Sequence, residues 1–336
     1  MDSVENGLSS HETVEQDVTL PLPDAFLDFL EENGLDPSIY SMANSTPRYI
    51  RLKPGCEDEL TEIEAELKCE LKKVVWLPGF FAIPPHIQIA GSKSYQLGKI
   101  YGMDAASGAA VLALNVLSGD HVLDLCAAPG GANSERSTDR LLEWTSKRTW
   151  KDRRRASKAR NGTDLVTSDP ELIFYGRHSG VVGLCRNQLF RRVDDNEPST
   201  SGYDKVLVDA ECTHDGSIKH IQKYEFWGWK TLQRRVLDAE RTDNLLNLQL
   251  QLLTNGFRLL RVGGSLVYST CSLTVVQNEG VVEQFLSRNP SAELQQIDIA
   301  DDWPCRSGRI PKTLRFDPTT SQTSGLFIAK IFKLAT

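Results

Sequence analysis

No apolar run in the 336 residues approaches the roughly 20 that carry a helix across a bilayer, so a membrane partner is not expected. The opening, MDSVENGLSSHETVEQD, has no apolar leader core. Its acidic character is the opposite of an Arg-rich, acid-poor transit peptide, and the expected location is cytoplasm or nucleus. Cysteine is sparse. The seven, Cys56, Cys69, Cys126, Cys185, Cys212, Cys271 and Cys305, are scattered, odd in number and never spaced C-x-x-C. Neither a disulfide framework nor a metal site is indicated, and a reducing compartment fits. A G-x-G-x-x-G turn is missing too, which disfavours a nicotinamide-dependent oxidoreductase. Nor is there an excess of positive charge: the net charge of −7 argues against a protein that coats nucleic acid nonspecifically.

What is present divides the chain into parts. Residues 1–20 are polar and acidic and read as a disordered tail. Residues 21–86 read as a small α/β unit. PDAFLDFLEENGL is a short helix with Phe26, Phe29 and Leu30 on one face, stopped by Gly34. PRYIRLKP is a strand, and EDELTEIEAELKCEL is an amphipathic helix with Leu60, Ile63, Leu67 and Leu71 at helical spacing. KKVVWLPGFFAIP is a strand that Pro78-Gly79 interrupts or ends. A larger α/β domain is expected over residues 87–336, opening with a helix in SYQLGKIYGMDAASGAAVLAL.

Three stretches of that domain repeat one design, a short apolar strand whose C-terminal end carries a cysteine. Val122-Leu123-Asp124-Leu125 runs into the small-residue turn CAAPGG, which lets the backbone approach a ligand. Val206-Leu207-Val208 leads to Asp209 and Cys212. Ser265 to Tyr268, opened by Gly263-Gly264, leads to Cys271 between hydroxyl residues. The helical pattern over RRVLDAERTDNLLNLQLQLLTNGFRLL joins the second strand to the third, with Asn255-Gly256 expected to end or break it. VVQNEGVVEQFLSRNP is a further helix, and SGLFIAKIFKL a final strand. In open α/β sheets ligands bind at the carboxyl ends of parallel strands, so the three cysteines are expected at one edge.

A carboxylate and two cysteines beside such a turn suit nucleophilic catalysis better than metal binding, because no histidine pattern is read alongside them. A thiolate can add to C6 of a pyrimidine, leaving C5 able to take a methyl group from a sulfonium donor. A second group then helps remove the C5 proton, and an acid near N3 favours the addition. Most free cysteines are small core hydrophobes, and Cys126 is the best candidate for that plain role.

LDLCAAPGG, VLVDAEC and GGSLVYSTCSL, in this order, with TSGLFIAKIFK towards the C-terminus, resemble the Sun-type (NSUN) family of RNA cytosine-C5 methyltransferases. The resemblance covers roughly residues 87–334 apart from a middle stretch; the joint DAxC and STCS loops are specific, CAAPGG less so. It implies a class I methyltransferase (Rossmann-like) α/β fold, with a mostly parallel sheet and flanking helices. It also implies S-adenosylmethionine as donor and RNA (tRNA or rRNA) as partner, without a metal. By family role Cys271 is the nucleophile, Cys212 assists release of the methylated base, and Asp209 contacts the cytosine and also binds the donor. Cys126, Ala127, Ala128, Pro129, Gly130 and Gly131 would cradle the donor.

Two departures stand out. Glu211 occupies a position where the family usually has proline; it is expected to loosen the loop and to raise the Cys212 pKa. The larger departure is a basic insert at about 132–202. From Gly131 to Asp169 no apolar run exceeds two residues, and no acidic residue follows a strand. The segment carrying the second and third strands of the core is therefore expected to be absent, leaving the sheet incomplete. The insert holds SKRTWKDRRRASKAR, eight Lys or Arg against one Asp, with Trp150 in the middle. A run like this is at least as often a solvated face as a phosphate contact. Its Lys147, Arg148, Lys151, Arg153, Arg154 and Arg155 are the candidate RNA contacts. An active methyltransferase and a catalytically impaired, noncatalytic RNA-binding variant of the same fold both remain open at this point.

Overall fold

The computed structural model of the chain describes residues 22–126 and 202–335. The donor-turn candidates Ala127 to Gly131, the basic run at 147–155 and the 1–20 tail lie outside them.

The first unit is a four-stranded antiparallel sheet in the order β2-β3-β1-β4, with β1 Arg48–Leu52, β2 Lys72–Lys73, β3 Phe80–Ile83 and β4 Ile100–Gly102. Its core joins Ile50, Leu52, Phe81 and Ile83 to Ile63 and Leu67 of the helix Leu60–Leu67. The apolar spacing of that helix therefore does face the sheet. Pro78-Gly79 separates β2 from β3, as the sequence suggests. Because β4 pairs with β1, this sheet continues to Gly102, beyond the boundary expected at residue 86. The long helix expected over 94–114 is accordingly divided. A single turn, Lys93–Gln96, precedes β4, and the helix Ala105–Ala113 follows it, its N-terminus capped by the Asp104 side chain accepting from Ala106 N–H.

The second sheet has seven strands: β5 Val122–Asp124, β6 Tyr203–Asp209, β7 Leu260–Thr270, β8 Ala292–Gln295, β9 Cys305–Ser307, β10 Thr313–Phe316 and β11 Leu326–Lys333. The order is β5-β6-β7-β11-β10-β9, with β8 also pairing to β11. β5, β6 and β7 run parallel, in a register that sets Asp124 beside Leu207 and Asp209 beside Ser269. The C-terminal strand β11 enters antiparallel to β7. Val206, Val208, Leu266, Tyr268 and Phe327 are fully buried in the core between sheet and helices. Burial of each such side chain contributes roughly 1.5–3 kcal/mol. β5 is only three residues long, half-buried, and lies at the edge of the sheet among the described residues.

The helix Ala239–Leu259 joins β6 to β7, its N-terminus capped by Asp238 accepting from Arg241 N–H. It runs straight through Asn255-Gly256 rather than ending there. An added Cβ at Gly256 would sit 3.0 Å from Val208 Cγ2 and 3.1 Å from Leu266 Cδ1, so the glycine lets the helix lie close on the sheet. The Gly263-Gly264 turn is a bulge inside a longer strand, and Gly263 has a φ of 79°. The N-terminal helix Asp24–Glu32 packs Phe26 and Leu30, with Tyr40, against Ile218, Ile221 and Tyr224 of the helix Ile218–Trp227. That contact backs the loop after β6.

Candidate active site

The loops after β6 and β7 meet because their polar groups satisfy one another. Gly216 N–H donates to the Cys271 carbonyl (2.9 Å), and an added Cβ at Gly216 would lie 2.6 Å from that oxygen. Asp215 is fully buried. One of its oxygens accepts from Thr213 Oγ1, and the other accepts from Leu273 N–H at 2.7 Å. Gln277 accepts from Thr213 N–H (3.1 Å) and donates to Thr213 Oγ1 (2.9 Å). Asn278 donates to the Ser272 carbonyl at 2.8 Å. Below them Arg315 donates to the Leu273 carbonyl (2.8 Å) and to both oxygens of Glu279, a pair almost wholly out of water. Burial raises the Glu279 carboxyl, but the Arg315 hydrogen bonds, the Arg309 N–H and the Arg315 charge together outweigh it and the net shift is downward.

This frame brings two sequence-identified cysteines together. Cys212 Sγ and Cys271 Sγ are 3.4 Å apart. Cys212 is fully buried and Cys271 half-buried, so Cys271 is the more accessible of the pair. His214 stands between them, with Nδ1 2.9 Å from Cys271 Sγ and 3.7 Å from Cys212 Sγ. The hydrogen bond from the Cys271 thiol, aided by His214, draws Cys212 down to about 6 against the cost of burial. The charge so held keeps Cys271 protonated and raises it. The two sulfurs thus share a single negative charge, and His214 is raised by its hydrogen bond to the thiolate. Glu211 does not raise Cys212 as expected; its carboxylate turns away to Arg241 at 3.2 Å.

Asp209 opens to solvent on one side and is crowded by protein on the others. Lost hydration pushes its carboxyl up to about 6, although Ser269 Oγ donates to it at 2.8 Å. At the end of β5 the chemistry is different. Cys126 N–H donates to Asp124 (3.0 Å), and burial, reinforced by the charges of Asp124 and Asp209, pushes the Cys126 thiol up to about 12. Of the donor-cradling residues named from the sequence, only Cys126 and Asp209 lie in the described part. Both stand at strand carboxyl ends, the edge at which open α/β sheets bind ligands.

His214, Asp215 and Gln277 were not singled out from the sequence. For His214 a signal existed in the Cys-x-His spacing of Cys212 and His214, so the expectation that no histidine pattern accompanies the cysteines does not hold. The donor atoms of Cys212, His214 and Cys271 lie within 4.8 Å of one another. Bond lengths of about 2.0–2.3 Å to zinc would hold tetrahedral N and S donors roughly 3.5 Å apart. The 2.9 Å contact is a proton-sharing distance instead.

With this geometry in place, comparison with known proteins identifies the chain's relatives. Residues 183–332 match the family model described as 16S rRNA methyltransferase RsmB/F. A zebrafish (Danio rerio) protein named tRNA (cytosine(34)-C(5))-methyltransferase, mitochondrial, is 36% identical over 208 residues, 60% of this chain and 50% of its own. The chain is similar to members of the Sun-type (NSUN) family over these residues. Among other relatives, the 5-cytosine rRNA methyltransferase NSUN4 of Xenopus laevis is 36% identical over 57% of this chain and 44% of its own. A tRNA (cytosine(49)-C(5))-methyltransferase of Pyrococcus abyssi is 26% identical over 82% of this chain and 84% of its own. The chain spans about half the length of the first two relatives. Among solved structures, NSun6 from Pyrococcus horikoshii with SFG superposes with a TM-score of 0.61 at 16% identity, covering 94% of this chain and 99% of that one. A methyltransferase homologue from the same organism gives 0.54 at 24% identity, covering 93% and 100%. These likenesses support the Rossmann-like methyltransferase fold.

Proposed function

We propose that this chain is an S-adenosylmethionine-dependent RNA cytosine-C5 methyltransferase acting on tRNA or rRNA through a covalent bond from Cys271 to C6. The observation that carries the reading is the Cys212–Cys271 pair, 3.4 Å apart at the ends of two parallel strands beside Asp209. The more accessible Cys271 sulfur reaches a base splayed from its stack, as attack on a ring carbon demands. With its carboxyl near 6, Asp209 can hold a proton for N3 of the ring as sulfur adds. Once C5 is methylated, Cys212, 3.4 Å from Cys271 and held towards the thiolate, takes the C5 proton. The electron pair of that C–H bond restores the C5–C6 double bond and expels Cys271 as thiolate. S-adenosylmethionine supplies the methyl group when bound. Support for it comes from the strand-end placement of Asp209 and Cys126 and from the neighbour solved with SFG, an S-adenosylmethionine analogue. All of these steps suit a reducing compartment; mitochondrial names among the relatives extend that beyond the expected cytoplasm or nucleus.

The test is transfer of radiolabelled methyl groups to tRNA and rRNA fractions, with C212A alongside. An RNA adduct of C212A that survives a denaturing gel is the expected result. Release of methylated RNA by C212A at the wild-type rate would sink the role given to Cys212.

A second reading is a catalytically impaired, RNA-binding member of the same fold. The three-residue, half-buried β5 at the sheet edge among the described residues favours it. So does the absence of apolar runs longer than two between Gly131 and Asp169. RNA binding indifferent to added S-adenosylmethionine, with no transfer, would select it.

A further inference from the structure

We propose that His214 is the general base for Cys271: its Nδ1 takes the thiol proton as the sulfur attacks and returns it when the sulfur leaves. This rests on the reading of Cys271 as nucleophile. The step balances without a further reagent. The S–H bond breaks, an N–H bond forms, and the sulfur lone pair becomes the S–C6 bond; expulsion of the thiolate reverses the exchange.

Three observations converge on it. The Nδ1–Sγ distance of 2.9 Å is within direct proton-transfer range, and shorter than the 3.7 Å to Cys212. His214 holds a φ of 58°, in the left-handed region that non-glycine residues seldom adopt, histidine more readily than most. The loop around it is over-determined by the buried Asp215, whose carbonyl also accepts from Tyr40 Oη at 2.7 Å. Strain of this kind persists only where surrounding contacts enforce it.

The charges facing the ring are Cys212, Asp215 and Glu211 on its own loop, Asp209 at the end of β6 and Cys271 from β7. From the helix Ile218–Trp227, the His220 ring lies 5.2 Å away, centroid to centroid. His220 is driven down to about 4, by burial first and then by His214, so it stays neutral and does not compete with His214 for the Cys271 proton. The Cys212 thiolate and the acidic groups around the ring raise the proton affinity of neutral His214, and the imidazolium formed when the Cys271 proton arrives stabilises the attacking sulfur.

The test is the pH dependence of Cys271 alkylation by iodoacetamide in the full chain, read by peptide mass spectrometry. H214N is the variant of choice, because asparagine tolerates left-handed backbone and lacks the base. In the wild type Cys271 should react at pH 7 despite its raised proton affinity, because His214 takes the proton as the sulfur attacks. H214N should move the midpoint up by about one pH unit or more and slow alkylation at pH 7 about tenfold. Added imidazole should recover part of the rate. An unchanged profile in a folded H214N overturns the proposal. Should H214N fail to fold, the NMR titration of the His214 imidazole in C271A decides the matter. A shift of at least half a unit from wild type is expected, and its absence overturns the pairing. Alkylation does not involve methyl transfer. A shifted profile in a chain that transfers no methyl group would therefore retain the Cys–His pair and remove only the methyltransferase reading.

Discussion

The carboxyl ends of β5 and of β6–β7 carry the same residue types and behave in opposite ways. At β5 a cysteine and an aspartate are alone with one another: burial, with Asp124 adding to it, drives Cys126 to about 12. At β6–β7 a second sulfur and an imidazole are added, and Cys212 falls to about 6 although it is more deeply buried than Cys126. Burial alone makes a cysteine inert. What makes one reactive is a donor that stabilises the thiolate, which the β6 and β7 loops supply to each other across 57 residues of chain.

The largest expected effect that sharpens the contrast is C271A, which should cut methyl transfer by at least about a thousandfold. A variant retaining more than a tenth of wild-type activity would show that the β7 loop holds no nucleophile. Next comes the clamp below that loop. E279A leaves Arg315 buried without its partner and should cost about 3–5 kcal/mol in urea unfolding. A midpoint unchanged from wild type would mean the pair does not hold the Cys271 loop.

A smaller effect concerns Asp209, whose carboxyl rises from 3.8 to about 6 on folding. The folded state therefore favours the proton. That stabilisation is complete below about pH 4 and lost as pH rises through 6. D209N should accordingly melt about 1–3 °C higher than wild type at pH 7.5 and no higher at pH 4. A gain that is the same at both pH values would remove the titration argument. The smallest effect belongs to the β5 end. C126A should leave Cys271 alkylation within about threefold of wild type, and wild-type Cys126 should be unmodified at pH 7 while Cys271 reacts. Equal alkylation of both cysteines would collapse the comparison.

Much of this was legible in the order of residues. Apolar triplets ending in Asp209 and in Ser269-Thr270-Cys271 mark strands and their loops, because a buried parallel strand is a short apolar run bounded by turn residues. Phe26 and Leu30, and Ile63 and Leu67, show their buried faces by helical spacing. Gly256 misled for a local reason: glycine signals a helix end in isolation, and here it answers a close approach of helix to sheet. β4 was hidden inside a helical pattern because its pairing with β1 spans some fifty residues and leaves no periodic trace in three. His214 was passed over because one histidine in a loop has no pattern of its own.

The sequence alone determined which residues bring chemistry to strand ends, since apolar patterning and turn composition are local properties. Only the tertiary structure decided what those residues are to one another. The 3.4 Å between the two sulfurs, the imidazole beside them and the neutral, inert Cys126 all follow from which loops touch. Proton affinities are set by the charges and hydrogen-bond donors within a few ångströms, and separation along the chain carries no information about that distance.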